Sequence, residues 1–356
     1  MICSIRMIHL SVPRIRPVCT SLHSQQTNIY LNTISRQPLI PQDFTLYYHI
    51  LKHRPFIPIG LSHLPRSRPD IKMEVDLKKF EDHELLQDFD RPIYNMLKAT
   101  LQYPADPKSI GAKLAGDITF MCRTPMLDGS PADTCSMWTV IIQLSRYIPP
   151  DHPWQDSLVQ AVDNLRQQEG PISDQYKYAL WKNLPELALC MREEWNEIPT
   201  EINEEGFSKE QMEELMEDFV RWKNQNSFAA RLTGPSFAPW LTLPIWQLRE
   251  ALETPPAKGA RQECRVWVAC EWILRCAEII FEDMNSDEEP NNAFQTGSLC
   301  GEDIPQFSIK RWEFWKKRLG EIAADAESLK LEGPILERIS DTVMRMETVQ
   351  KEMTKN

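Results

Sequence analysis

The stretch from Gly259 to Met284, GARQECRVWVACEWILRCAEIIFEDM, constrains the fold more than any other part of the chain. At about 100° per residue its apolar side chains occupy two faces of a helix, so other helices must cover most of its circumference. One face carries Val266, Cys270, Ile273, Ala277 and Ile280, and the other carries Val268, Trp272, Cys276 and Ile279. We therefore predict a central helix, with a narrow solvated wedge formed by Glu271, Arg275, Glu278 and Glu282, in which Glu271 and Arg275 form a surface i,i+4 pair.

A second helix is predicted between Phe207 and Pro235. Ser208 and Gln211 have the spacing of a capping box, while Gly234 and Pro235 occupy the positions of a C′ glycine and a following proline. The apolar stripe of this helix contains Leu215, Phe219, Trp222, Ala229, Ala230 and Thr233, and Phe228 and Leu232 suggest burial on a second side. Asn226 lies near the centre of the stripe, so its amide must be hydrogen-bonded if it is buried.

Helical spacing recurs between proline and glycine breaks along most of the remaining chain, without a strand pattern flanked by hairpin turns. We predict an all-α fold, in which residues 73–356 form one multi-helix domain around the Trp/Cys-rich central helix. Residues 284–307 are predicted to form a mobile acidic loop, and residues 335–354 the C-terminal helix.

Residues 1–72 differ in composition from the rest of the chain. They contain nine Lys or Arg against two acids, eight prolines and no Ala, Glu or Trp. We interpret them either as a disordered leader or as a non-native leader that lies upstream of the true start at Met73. A mitochondrial transit peptide is the alternative, although Pro13 and Pro17 would interrupt its amphipathic helix.

Charge and composition exclude several common functions. The net charge is −11, so with +7 in residues 1–72 the remainder carries −11 − 7 = −18, which argues against nucleic-acid binding. No apolar run approaches the roughly 18 residues of a membrane span, so we expect no membrane partner. Nine cysteines without framework spacing indicate a reducing compartment. We predict a soluble protein of the cytoplasm or nucleus, with mitochondria as the alternative if the leader is a transit peptide.

The sequence contains few residues that could support metal, cofactor or histidine-based chemistry. After residue 72 the only histidines are His83 and His152. Cys264, Cys270 and Cys276 are six residues apart, which turns each thiol by about 240° on a helix, so the three cannot share a metal. We predict no metal and no cofactor.

Two further motifs receive structural interpretations. In GAKLAGD, Gly111 and Gly116 have the P-loop spacing, but Asp117 stands where the phosphate-binding lysine must be. Glu193, Glu194 and Glu197 beside Trp195 could hold an acid–base pair, but a solvated acidic face is the simpler interpretation.

Candidate binding residues come from the second helix. Trp222 and Asn226 share its buried stripe, where a structural role competes with a ligand contact. Arg231 lies off the stripe and is the charged residue that we would first test for a partner or an anionic ligand, against a structural salt bridge. We predict no catalytic residue. The nine tryptophans from Trp181 to Trp315 are expected to pack in the core, with some lining a groove or an interface.

Several tryptophan-bearing motifs in a fixed order resemble the fungal domain of unknown function family 3632. They are SMWTVIIQLSRYIPPDHPWQDSLVQAVDNLR, LWKNLPEL, WKNQNSFAARLTG, WQLREALE, CEWIL and KRWEFWKKRL. The similarity covers roughly residues 75–330 and excludes the leader. It implies a helical fungal protein without an established activity, and it supplies no catalytic residues.

Taken together, these features favour an intracellular interaction or scaffold protein without catalytic activity, which binds other proteins. The alternative is a small-molecule-binding protein or an enzyme with a tryptophan-lined carboxylate pocket, whose ligand the sequence does not specify.

Overall fold

The computed structural model describes most of the chain after residue 74. It covers residues 75–82, 86–123, 133–168, 170, 181–182, 184–195, 206–234, 237, 240–301 and 303–355. Of these residues 71% are helical and none lies in a strand, apart from one isolated bridge between Gly234 and Phe237. The predicted all-α class is confirmed, whereas the predicted leader lies outside the described residues.

The described residues contain twelve α-helices, which lie in one compact unit. They are α1 (Lys78–Glu81), α2 (Arg91–Leu101), α3 (Pro107–Met121), α4 (Thr134–Ser145), α5 (Pro153–Arg166), α6 (Pro185–Glu193), α7 (Lys209–Leu232), α8 (Thr242–Leu248), α9 (Gly259–Met284), α10 (Ile309–Ala324), α11 (Ala326–Leu329) and α12 (Gly333–Met353). A π-helical turn (Arg249–Glu253) continues α8, and a 3₁₀ turn (Asn292–Phe294) lies between α9 and α10.

Helix α9 is the predicted central helix, with the predicted bounds, and both of its apolar faces are buried. Its hydrogen bonds pair it with α7 in the same order along both helices: the thiol of Cys264 with the carbonyl of Phe219, and the indole of Trp272 with Asn226. The two helices therefore run parallel. Backbone angles depart from helical values at Cys276, where α9 is kinked.

The start and the end of α7 agree with its sequence signals, but the conformation at its end differs from a glycine cap. Ser208 and Gln211 form both halves of the predicted capping box. Thr233 is the C-cap and is extended, so Gly234 occupies the predicted C′ position, but its φ is not positive and it pairs with Phe237. A short bridge therefore replaces the left-handed cap.

The GAKLAGD motif lies inside α3, where its first glycine serves helix packing. A Cβ atom at Gly111 would lie 2.6 Å from the Cβ of Gln160 on α5. Asp117 binds the hydroxyl of Thr100 and the ammonium of Lys113. The motif is thus a helix contact, not a phosphate loop.

The segment between α9 and α10 is held by a buried ion pair between Glu253 and Arg311, both 0% exposed. The Glu253 carboxylate accepts from Arg311 Nε (2.7 Å), from the indole of Trp315 (2.6 Å) and from the backbone N–H of Gly297 (2.6 Å). The second half of the predicted mobile loop is therefore anchored, and the mobility of residues 284–307 stays a prediction. The C-terminal helix begins two residues earlier than predicted, at Gly333.

Within the described residues, none of the helices combines the length and the apolar character needed to cross a bilayer.

Candidate functional site

The first two predicted binding residues, Trp222 and Asn226, lie in the buried contact between α7 and α9. Asn226 is 0% exposed, and its amide donates to the carbonyl of Trp222 and accepts from the indole of Trp272, both at 2.9 Å. Trp222 packs edge-on against Trp195, with ring centroids 4.8 Å apart. Asn226 is thus hydrogen-bonded, as a buried amide must be, to a carbonyl of its own helix and to an indole of α9. A ligand contact at these two residues stays a prediction.

The third predicted residue, Arg231, lies one turn beyond Asn226 and faces a different neighbour. Its guanidinium group pairs with Asp156 and donates to the carbonyl of Pro150, so it connects α7 to the start of α5. Its Nε donates to the hydroxyl of Ser227 at 3.4 Å. Burial and the charge of Arg275 lower the pKa of Arg231 from its ordinary value. The structure therefore brings Trp222 and Asn226 together and places Arg231 apart from them.

Glu271 on α9 is not solvated as the sequence analysis expected. Its side chain is 3% exposed, and its Oε1 accepts from Ser227 Oγ (2.7 Å) and from Arg275 Nε (3.1 Å). Its Oε2 accepts from Arg338, which reaches it from α12. Burial by itself would raise the pKa of Glu271, but the charges of Arg338 and Arg275 and the Ser227 hydrogen bond hold it below its ordinary value. The carboxylate is therefore ionised in the core of a polar network.

Arg275, Arg338 and Trp267 form the accessible side of this network, which we call the arginine site. Arg275 is 17% and Arg338 is 23% exposed. Within the described residues, Arg275 forms hydrogen bonds through Nε alone, and the buried Nε of Arg338 has no acceptor. The guanidinium carbon of Arg338 lies 4.2 Å from the ring centroid of Trp267.

The charges of the arginine site are unevenly matched. Arg231 has its own carboxylate in Asp156, whereas Arg275 and Arg338 share the single carboxylate of Glu271. One positive charge therefore remains beside several unused N–H donors. Guanidinium groups with free donors bind carboxylate or phosphate oxygens in a bidentate geometry.

Sequence analysis singled out Arg231 but missed Arg275 and Arg338 as binding residues. One signal was available, because Glu271 and Glu278 are seven residues apart on α9, as are Arg338 and Arg345 on α12. The structure pairs them in that order, so α9 and α12 are parallel. The spacing alone could not show that these two helices are neighbours.

The other predicted features are placed mainly in the core. Of the nine tryptophans considered, only Trp246 and Trp267 are partly exposed. Glu193 is exposed as expected, but Glu194 is buried and its carbonyl accepts from Arg146 and Gln225. Glu197 lies outside the described residues.

The sequence matches a family model described as "Protein of unknown function (DUF3632)" over residues 138–319. The chain belongs to this family. The match confirms the resemblance drawn from the tryptophan motifs, over a shorter range than the predicted 75–330. The family's region includes Arg231, Trp267, Glu271 and Arg275, whereas Arg338 lies beyond it. Searches of curated proteins and of solved structures returned no match.

Proposed function

We propose that this protein is a non-catalytic helical interaction protein that binds an anionic group of a protein partner at the arginine site. The observation that carries the proposal is that Arg275 and Arg338 share the single carboxylate of Glu271, while Arg275, which is 17% exposed, uses only its Nε in hydrogen bonds to the described residues. This local positive charge contrasts with the acidic body of the chain.

The chemistry of the site favours a carboxylate or phosphate group. Two guanidinium groups on one carboxylate leave N–H donors in the fork geometry that these anions accept. The face of Trp267, on which Arg338 stacks, adds a planar apolar surface. We infer that an anionic side chain flanked by apolar residues fits this surface, whereas the charge of −18 after residue 72 opposes a nucleic-acid partner.

The state of the buried carboxylates supports binding over catalysis. A general acid or base needs a carboxyl group that is free to exchange a proton with a substrate. Glu253 and Glu271 are instead held by arginines on other helices. A second candidate function is the binding of a small anionic molecule, which the partly exposed Trp267 beside Arg338 favours.

Thermal unfolding of the full chain in sodium phosphate, compared with sodium chloride of equal ionic strength, tests the site. At ten times its dissociation constant, a ligand stabilises the folded state by about 1.4 kcal/mol. We expect this gain in the wild type and in Arg345→Gln, whose arginine pairs with Glu278 on the same helix seam. We expect it to disappear in Arg275→Gln. An equal gain in all three proteins, or none in the wild type, would overturn the proposal.

Purification from source cells with wild type and Arg275→Gln as paired baits separates the two candidate functions. A protein that is retained only by the wild type supports the interaction role. A bound metabolite retained only by the wild type supports the small-molecule alternative.

For location we propose the cytoplasm or nucleus. No disulfide joins the cysteines of the described residues, which is the state that a reducing compartment maintains.

A further inference from the structure

Arg231, on α7, lies directly beside the arginine site. Its Nε donates to Ser227 Oγ at 3.4 Å, and the Ser227 hydroxyl donates to Glu271 Oε1 at 2.7 Å. The same carboxylate oxygen accepts from Arg275 Nε at 3.1 Å. One hydroxyl and one carboxylate oxygen therefore connect the guanidinium groups of Arg231 and Arg275.

These two guanidinium groups repel each other. Burial lowers the pKa of Arg231, and the charge of Arg275 lowers it further. Arg338 reaches the other oxygen of Glu271 from α12, so cations from three helices gather around one buried carboxylate. An anion bound among them relieves the repulsion. The geometry therefore favours a ligand that contacts Arg231 as well as Arg275 and Arg338.

A carboxylate of the protein itself occupies Arg231. Asp156, in the first turn of α5, pairs with one terminal nitrogen of Arg231, and the other terminal nitrogen donates to the carbonyl of Pro150. The Asp156 side chain is 59% exposed, whereas that of Arg231 is 12% exposed. An ion pair with such an exposed partner contributes little energy, so another anion can replace Asp156 while Pro150 keeps Arg231 in place.

Displacement of Asp156 changes the charge that the site offers. With Asp156 paired, three arginines face the two carboxylates of Asp156 and Glu271, which leaves one positive charge in excess. Without Asp156 the excess is two, and Asp151 reduces it less, because its charge acts on Arg231 more weakly than that of Asp156. A phosphorylated side chain carries about −1.5 to −2 at pH 7, whereas a carboxylate carries a single charge. The charge therefore matches a phosphate better.

The directions of the three arginines also favour a phosphate. They extend from three different helices, and a planar carboxylate offers two oxygens, whereas a phosphorylated side chain offers three acceptor oxygens. Trp267 is partly exposed, and the guanidinium carbon of Arg338 lies 4.2 Å from its ring centroid. The exposed part of this ring offers an apolar surface to a residue next to the phosphate.

We propose that the anionic group bound at the arginine site is a phosphorylated side chain of a partner protein, which contacts Arg231, Arg275 and Arg338 and displaces Asp156. This inference rests on the function proposed above and adds the class of ligand, a third arginine and an internal competitor. A protein is favoured over an anionic membrane as the source of the phosphate, because the charge of −18 after residue 72 opposes an anionic surface.

Fluorescence anisotropy with three labelled five-residue peptides tests this proposal on the full chain at pH 7.5. The peptides carry phosphoserine, glutamate or serine between leucines. We expect the phosphoserine peptide to bind the wild type about tenfold or more tightly than the glutamate peptide, and the serine peptide to bind most weakly. Arg231→Gln should lower the affinity for phosphoserine about tenfold and leave that for glutamate unchanged, whereas Arg275→Gln should weaken both.

Asp156→Asn removes the internal competitor and leaves all three arginines in place. The affinity for the phosphoserine peptide should rise about two- to fivefold, which corresponds to the weak energy of an exposed ion pair. Asp163→Asn is the matched control, because Asp163 lies on the same helix, pairs with Arg166 and is 41% exposed, and it should leave the affinity unchanged. Melting temperatures of all variants show that each is folded at the assay temperature.

The outcomes separate this proposal from the function on which it rests. If both anionic peptides bind equally well and depend on Arg275 but not on Arg231, the phosphate proposal is overturned and the proposed function stands. If neither peptide binds the wild type, or Arg275→Gln binds both as well, the two are overturned together. Equal affinities of Asp156→Asn and Asp163→Asn overturn the displacement of Asp156.

Two further probes test the source of the phosphate. Inorganic phosphate, which lacks a neighbouring residue for Trp267, should compete with the phosphoserine peptide only weakly. Phosphatidylcholine vesicles that contain phosphatidic acid should not retain the protein. Equally tight binding of inorganic phosphate, or retention on these vesicles, overturns the assignment to a protein partner.

Discussion

Replacing Arg311 by methionine removes the cation that anchors the segment between α9 and α10. The side chain is 0% exposed and uses all five of its N–H donors. Nε and Nη2 donate to the Glu253 carboxylate at 2.7 and 3.2 Å. The other three bonds go to backbone carbonyls, those of Phe294, Gln306 and Gln295. Methionine fills a similar volume and offers no donor.

The expected loss of stability is large because the Glu253 carboxylate stays buried without its cation. Removing one partner of a buried ion pair costs about 3–5 kcal/mol. Three carbonyls also lose a donor, at about 1 kcal/mol each if they stay dry. Gln295 is exposed and Gln306 is partly exposed, so water can replace two of those bonds. We therefore expect the free energy of unfolding to fall by about 3–5 kcal/mol, a large share of a typical domain's stability.

Urea unfolding followed by tryptophan fluorescence measures this loss, and hydrogen exchange locates it. The amides of Gly297 and Leu299 donate to Glu253 at 2.6 and 2.8 Å, so both should exchange faster in Arg311→Met. Lys317→Met on the same helix is the control, because its side chain is 76% exposed and its pairing contributes about 1 kcal/mol or less. A loss for Arg311→Met no greater than that of the control, or unchanged exchange at these amides, would refute the reasoning.

Substitutions at Asn226, at two glycines of α3 and at Asp90 test other parts of the structure. Asn226→Leu leaves the indole N–H of Trp272 without an acceptor and should lower the free energy of unfolding by about 1–3 kcal/mol. Asn226→Asp should be at least as destabilising, because it buries a charge. Unchanged urea midpoints for both variants would favour a ligand role for Asn226. Gly111→Ala should lower the melting temperature, because overpacking against Gln160 costs about 1–3 kcal/mol of stability. Gly116→Ala should raise the melting temperature, because a Cβ atom there meets open space and alanine favours a helix. Similar shifts for the two variants would contradict the contact between Gly111 and Gln160. The folded pKa of Asp90, about 6, lies above its ordinary 3.8, so its contribution to stability is lost as pH rises from about 4 to 6. Asp90→Asn should therefore gain about 1–2 kcal/mol at pH 7 and nothing at pH 3, and a gain independent of pH would exclude this titration.

Local interactions explain what could be read from the sequence. The bounds of α9 follow from the repeat of its apolar residues, and the start of α7 follows from the side chain of Ser208, which accepts from the backbone N–H of Gln211 three residues later. The apolar repeat and the capping box act within one or two helical turns, so neighbouring residues suffice to specify them. The two-sided apolar pattern of α9 likewise required covering helices, which α7 and α12 supply.

Contacts between distant residues decided the rest. Glu271 has the sequence environment of a surface residue, and only the packing of α12 against α9 buries it beneath Arg338. Glu253 and Arg311 are far apart in the chain, and their ion pair exists because the intervening segment folds back over the π-helical turn. The solvation of a charged side chain depends on which helix covers it, and helical periodicity carries no information about that choice. The sequence by itself therefore determined which segments are helical and which faces they bury, whereas the tertiary structure decided which charges are paired and which of them are buried.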